Sequence, residues 1–182
     1  MDEVMRAALI GLLPRLRRFG LALTGSAADA DELVQDACER ALGRADQLRD
    51  GARLDAWLYG IMRNRWTDEV RRRRVRRHDG LEAADAAVGE DGERGADARL
   101  TLEAVRRALA GLPEEQRAVL VLVCVDGLSY KEAAGVLGVA IGTVMSRLSR
   151  GRRALHGAMT RRDPTDGATV HALPARDRPR PP

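Results

Sequence analysis

"SYKEAAGVLGVAIGTVMSRLSRGR", residues 129–152, joins two short helical patterns across a glycine and ends thick with serine and arginine. Ser129 and Glu132 form a Ser-x-x-Glu capping box, which predicts a helix from Tyr130. That helix stops at Gly138. After a turn through Val139 and Ala140, a second helix runs from about Ile141 to His156. Short helix, glycine turn and longer helix is the spacing of a helix-turn-helix. Projected at ~100° per residue, Val144, Leu148, Gly151 and Leu155 share one side of the second helix. Ser146, Ser149, Arg150 and Arg153 fall opposite. The apolar side says only that the helix is packed. Hydroxyls and guanidiniums on one outward stripe suit major-groove edges and phosphates.

Composition agrees with a helical protein. Aromatics are 3% of the 182 residues, so any core is built mainly from Leu, Val and Ala. Alanine and leucine favour helix, and few β-branched or aromatic runs compete with them. Charged residues are 32% and the net charge is +4, with Lys131 the single lysine. Arginine makes bidentate contacts with phosphate and guanine, so the balance suits nucleic acid; GC-rich codon usage produces the same bias. Cys38 and Cys124 make no disulfide framework and sit in apolar helical patterns, so both are expected to be buried thiols in a reduced cytoplasm. The acidic start Met1-Asp2-Glu3 is unlike a signal peptide. The longest apolar run, Ala118 to Val125, is too short to span a bilayer. His78, His156 and His171 are isolated, and no phosphate loop, metal-ligand spacing or nucleophile elbow is present. The expectation is a soluble chain with no catalytic residue, no metal and no cofactor.

The pattern divides the chain into two small helical domains, residues 1–77 and 98–158. Between them, residues 78–97 form an acidic linker. Within it, "DGLEAADAAVGEDGERGAD" carries seven acids against Arg94, a net of −6, with four glycines, which predicts a flexible tether. Residues 159–182 hold five of the seven prolines and no apolar pattern, the composition of a disordered tail. The arginines that close the first domain and the basic second domain flank this linker. Their attraction predicts that the two domains associate in the free protein and partly cover their DNA surfaces.

In the first domain Leu9, Leu12, Leu13, Leu16, Phe19 and Leu23 recur at helical spacing, and Pro14 predicts a kink or restart. Ser26 and Asp29 resemble a capping box for a second helix. Its apolar stripe is Leu33, Val34, Ala37, Cys38 and Ala41. Its other face carries Asp31, Glu32, Gln35, Asp36, Glu39 and Arg40, a face that is either solvated or a partner surface. The helix from Leu54 becomes steadily more basic and ends with six arginines in residues 71–77. Dipole complementation at a helix C-terminus explains some of these; six is more than a cap needs and points to a polyanion. Trp57 lies on the apolar stripe and reads as core. Trp66 is open between packing and strand contact.

Two regions together, "ADADELVQDACERAL" with "LDAWLYGIMRNRWTDEVRRR" and "LPEEQRAVLVLVCVDGLSYKEAAGVLGVAIGTVMSRLSRGRRAL", resemble the extracytoplasmic-function group of bacterial RNA polymerase sigma factors. The resemblance spans roughly residues 5–75 and 98–157. It implies that the first domain is similar to sigma region two and the second to region four. Asp31, Glu32, Gln35 and Asp36 would dock on core RNA polymerase. The loop Asp46 to Gly51 with Asn64, Asp68, Arg71 and Arg72 would bind the unwound minus-ten element. Met145, Ser146, Arg147, Ser149, Arg150 and Arg153 would serve the minus-thirty-five element, with Met145 standing where a basic residue is common. Ala140 replaces a frequent proline, and Trp66 and Thr67 depart from the usual residues. Promoter DNA, core polymerase and an anti-sigma factor are the implied partners. A helix-turn-helix regulator acting without polymerase, and a sigma-like decoy of an anti-sigma factor, are the alternatives.

Overall fold

Six apolar positions at helical spacing, from Leu9 to Leu23, dictate one long helix, and the computed structural model, which describes residues 3–44, 53–78 and 104–160, shows it as α1 (Glu3–Thr24). Pro14 lies inside it, and the helix runs through rather than restarting. A helix-interior proline costs about 3 kcal/mol. Burying Leu9, Leu16, Phe19 and Leu23 on one face contributes roughly 1.5–3 kcal/mol per side chain, so burial wins.

Gly25, at φ +73°, ends α1 in the left-handed region. Ser26 then caps α2 (Ala27–Gly43), its hydroxyl accepting from the Asp29 N–H at 3.4 Å. The expected reciprocal half of that capping box is replaced. The Asp29 carboxylate instead receives Arg73 of α3 (Leu54–His78) at 2.9 Å. Gly20 lets α1 and α2 touch, because a Cβ there would meet Ala30 Cβ at 3.1 Å and the Ala30 carbonyl at 3.2 Å. Leu33, Val34, Ala37 and Ala41 meet Leu58, Tyr59 and Met62 in the core. Phe19 packs edge-on against Tyr59 at 5.0 Å. Trp66 belongs to this packing: it is 7% exposed, its buried Nε1 has no hydrogen-bond partner, and Arg73 lies over its ring at 5.4 Å.

Residues 104–110 form a short helix, α4, before Pro113 and the acidic start of α5 (Glu114–Leu120). α5 widens into a π-helical turn, Val121–Val125, in which the Asp126 N–H reaches back to the Val121 carbonyl at 2.9 Å. The turn rotates the end of the apolar run, and Cys124 is exposed rather than buried as expected, its Sγ accepting from Arg152 at 3.3 Å. Cys38 is half-buried, and burial pushes its thiol pKa up. α6 (Tyr130–Leu137) starts on the full Ser129–Glu132 capping box and ends at Gly138, φ +64°. α7 (Ile141–Thr160) packs Val144, Leu148 and Gly151 inward, with Leu155 half-buried. At Gly151 a Cβ would meet Leu120 Cδ1 at 3.0 Å, so α7 crosses α5 at a distance only glycine permits without adjustment.

The described residues are all-helical, in two units, α1–α3 and α4–α7, and the units are in contact. α1 packs on α5 and the π turn, and α3 packs on α6, so the buried side chains form one continuous cluster. Domain association is therefore present, carried by packing and by ion pairs between helices. The acidic segment expected to drive it lies outside the described residues, as do the loop 45–52 and the tail beyond Thr160; Met159 and Thr160, expected in the tail, belong to α7.

At the junction sits Asp55, whose side chain is 8% exposed. It pairs with Arg53 at 2.7 Å and Arg15 at 3.1 Å and accepts the Ala56 N–H at 2.8 Å. Burial works against its charge, but the Arg53 and Ala56 hydrogen bonds and the charges of Arg53 and Arg15 outweigh it and hold the Asp55 carboxyl below its ordinary range. Hydrogen bonds from the Ser129 hydroxyl and N–H, and from Arg53, lower Glu132 likewise. A carboxyl depressed on folding contributes stability that is complete above its unfolded pKa and is lost as pH falls through the folded value. Melting temperature should therefore fall as pH drops below about 4. Asp55→Asn should lower stability at neutral pH by about 1–3 kcal/mol and flatten that acid limb. A series of thermal melts against pH checks both.

Candidate nucleic-acid interface

The rotation of α7 is fixed by its buried side, and this decides what faces out. With Val144, Leu148 and Gly151 against α5, residues Met145, Ser146, Ser149, Arg150 and Arg153 are exposed. The Ser146 hydroxyl bonds the Thr143 carbonyl, and Arg150 Nε reaches the Ser146 carbonyl at 3.3 Å, so both are held close to the helix surface. Arg147 is set apart from this group. Its side chain is 16% exposed and pairs with Glu115 of α5 at 2.9 Å, so it bolts α7 to α5 instead of standing in the outward stripe.

A second surface lies between the end of α2 and the middle of α3. Asn64 and Asp68 line a cleft of about 240 Å³ together with Arg40, Arg44 and Arg65, and Trp57 and Ile61 form its apolar wall. Pockets that enclose drug-sized ligands measure roughly 300–1,000 Å³, so this cleft is smaller than those. Trp57, expected to be core, is half-buried and shared between core and cleft. Sequence reading singled out Asn64 and Asp68 but not the rest. Ile61, Asn64, Arg65 and Asp68 recur at three- and four-residue steps, a one-face signal that helical projection of α3 reveals. Thr67 is turned onto its own helix, its hydroxyl donating to the Arg63 carbonyl at 2.8 Å.

The basic end of α3 is partly spent on structure. Glu69 accepts from Arg72, Arg73 and Arg76 at 3.1 Å each, and Asp29 takes the other arm of Arg73. Arg71 and Arg74 are exposed.

The acidic face of α2 divides in the same way. Glu32 and Gln35 are exposed, and Gln35 donates to Glu39 at 3.0 Å. Asp31 pairs with Arg17 of α1 at 2.9 Å while staying 55% exposed. Asp36 is half-buried and bridges Arg65 at 2.6 Å and Arg40 at 3.1 Å, so it ties α2 to α3. Among the described residues no group of three or more His, Cys, Asp or Glu could hold a metal ion, and no helix is long and apolar enough to cross a membrane.

The chain thus carries an outward hydroxyl–guanidinium stripe on a helix-turn-helix and a small polar cleft on the other helical unit. Residues 10–76 match Sigma-70 region 2, and residues 102–155 match Sigma-70 region 4. The ECF RNA polymerase sigma factor EcfG of Rhodopseudomonas palustris is 38% identical over 157 residues, 85% of this chain and 84% of the relative. The sigma factor RpoE of Bartonella quintana, solved in complex with the anti-sigma factor NepR, superposes with a TM-score of 0.74 at 32% identity, covering 89% of this chain and all of that one. CnrH, solved with the cytosolic domain of CnrY, gives 0.60 at 25% identity over 86% of this chain and 88% of its own. The chain belongs to the ECF sigma factors of the sigma-70 family, a family of transcription initiation factors.

The two acids of the α2 face should separate in a stability measurement. Asp36→Ala removes a short, partly buried contact between helices and should cost about 1 kcal/mol or more. Asp31→Ala breaks an exposed pair and should cost roughly 0–1 kcal/mol. Urea unfolding of both variants, followed by far-UV circular dichroism, checks the order.

Proposed function

We propose that this chain binds core RNA polymerase and directs initiation at promoters, reading the minus-thirty-five element with α7 and the minus-ten element at the cleft between α2 and α3. The observation that carries the reading is the pairing of two differently built surfaces on one chain. The α7 stripe presents exposed Ser146, Ser149, Arg150 and Arg153, suited to the edges and phosphates of duplex DNA. The cleft offers an amide, a carboxylate and an apolar wall beside arginines, suited to a single base drawn out of the stack. Unstacking a base costs a few kcal/mol. Arg44, which lines the cleft, and the exposed Arg71 and Arg72 would supply contacts to the strand backbone that offset that cost.

The docking surface for polymerase is the exposed part of the α2 face, Asp31, Glu32 and Gln35. Asp36 supports it from behind through Arg65. Control by an anti-sigma factor is part of the proposal, supported by the RpoE relative, which was solved held by one. The chemistry of RNA synthesis belongs to the polymerase, and the chain supplies position and strand capture.

Run-off transcription with core polymerase is the decisive experiment. A sigma factor starts transcripts; a polymerase-independent regulator or an anti-sigma decoy does not. Asp31→Arg with Glu32→Arg should abolish co-purification with core polymerase while leaving helical content intact; retained co-purification would remove the docking assignment. Arg150→Ala should cost ~1–3 kcal/mol on one promoter sequence selectively. Binding measured across a panel of minus-thirty-five variants checks this, and a uniform loss on all sequences would make Arg150 a phosphate contact.

A further inference from the structure

Asp126 ends the π turn of the second unit, and its side chain has no solvent exposure. Every side-chain partner recorded for its carboxylate comes from the first unit. Arg18 donates at 2.9 Å, the Tyr59 hydroxyl donates at 2.8 Å, and Arg15 Nε lies at 3.5 Å. A second arm of Arg15 donates to the Asp126 backbone carbonyl at 3.0 Å. Two further contacts cross the same boundary. Arg53 pairs with Glu132 at 2.9 Å, and Arg117 donates to the Ala22 carbonyl at the end of α1 at 2.6 Å. None of these groups lies on the α7 stripe or lines the cleft. A buried carboxylate needs compensating partners, and Asp126 finds them only while the units are together.

The closed arrangement does not cover the DNA surfaces, as charge attraction alone had led us to expect. The α7 stripe is exposed and the cleft is open. The obstacle is distance. Minus-ten and minus-thirty-five elements lie about 25 base pairs apart, ~85 Å of duplex at ~3.4 Å per pair. The longest helix, α3, has 25 residues and is therefore ~37 Å long, and a compact body of this size is roughly 35–40 Å across. Joined units therefore cannot reach both elements at once.

We propose that Asp126 is the pin of an interdomain clasp that keeps the free protein closed, and that the clasp must be drawn before both promoter elements are engaged. This rests on the sigma-factor reading for its consequence, though not for its geometry. A closed majority lowers apparent affinity for any partner that needs the open form, in proportion to the open fraction. A polymerase that seats the two units at the spacing of the two elements needs the open form, so breaking the clasp strengthens its binding, the opposite of what damage to the exposed α2 docking surface does.

The test uses the full chain as wild type, as Asp126→Asn, and as Arg15→Gln with Arg18→Gln. Radius of gyration by small-angle scattering and affinity for core polymerase are measured side by side. Both variants should be larger than wild type by a fifth or more and should bind polymerase three- to tenfold more tightly, with helical content unchanged. The arginine variant should open further, because it leaves the Asp126 charge without its cationic partners and with the Tyr59 hydroxyl alone. If Asp126→Asn fails to fold, Arg18→Gln alone, changed at a half-exposed side chain, carries the test. An unchanged radius, or an unchanged or weaker polymerase affinity, in folded variants overturns the clasp. A wild-type radius that grows steadily with salt also overturns it, since exposed linker charges would then hold the units, whereas a buried pair is screened little. Absence of run-off transcripts from wild type would fell the sigma reading and leave the scattering result to judge the clasp alone.

Discussion

The Asp55 carboxylate is the joint on which the rest of the arrangement turns. It is almost fully buried, and it holds Arg15 from α1 and Arg53 from the start of α3. Taking a carboxylate out of water costs several kcal/mol unless charge and hydrogen bonds compensate. Two arginines and a backbone N–H do so here, and both arginines make a further contact, Arg15 by sharing Nη2 and Arg53 through its free Nη1. One reaches Asp126 and the other Glu132, each in the second unit. A single acid therefore ties α1 to the N-terminal end of α3 and holds the groups that meet the neighbouring unit. The apolar packing around Leu16, Phe19 and Tyr59 supplies bulk stability. The charges supply direction, since carboxylate and guanidinium bonds tolerate little error in geometry.

How much of this was legible in the sequence depends on how local the cause was. The helix-turn-helix was readable because a capping box and a left-handed glycine are local chemistry, and both stand where expected. The outward stripe followed, because the apolar side of α7 fixes its rotation. Arg147 escaped the reading because it projects between the two faces, and Glu115, more than thirty residues earlier, decides its direction. Asp36 was grouped with Asp31, Glu32 and Gln35 as a docking acid, since nothing near it in sequence announces Arg65 as a partner. The cleft was half visible: α3 shows its face by periodicity, but the part played by Arg40 and Arg44 depends on how α2 ends. The π turn left no mark in the apolar run that contains it. A hydrogen-bond shift of one residue changes no hydrophobic period over five residues, yet it sends Cys124 outward and Asp126 inward.

The charge economy of α3 follows the same division between local and distant causes. Six arginines in seven residues read as a surface for a polyanion. Glu69 and Asp29 claim several of them to bind α3 to itself and to α2. Arg73 serves three ends at once, as a bridge to each acid and as a cation over the Trp66 ring. The share of that run available to nucleic acid is therefore smaller than its composition suggests, and the available part is defined by where two acids happen to stand.

The glycine at the crossing of α5 and α7 has a consequence for the language of promoters. At Gly151 the recognition helix lies against Leu120 and Gln116 with room for a hydrogen and little more. A larger residue there would lift or roll α7 by some tenths of an ångström, and every side chain on the outward stripe would move with it. Hydrogen bonds to base edges are selective over just such displacements. On the proposed reading, which letters α7 favours is thus partly inscribed in a position that no base touches, and a substitution at this crossing would change the promoter dialect while leaving the outward side chains as they are.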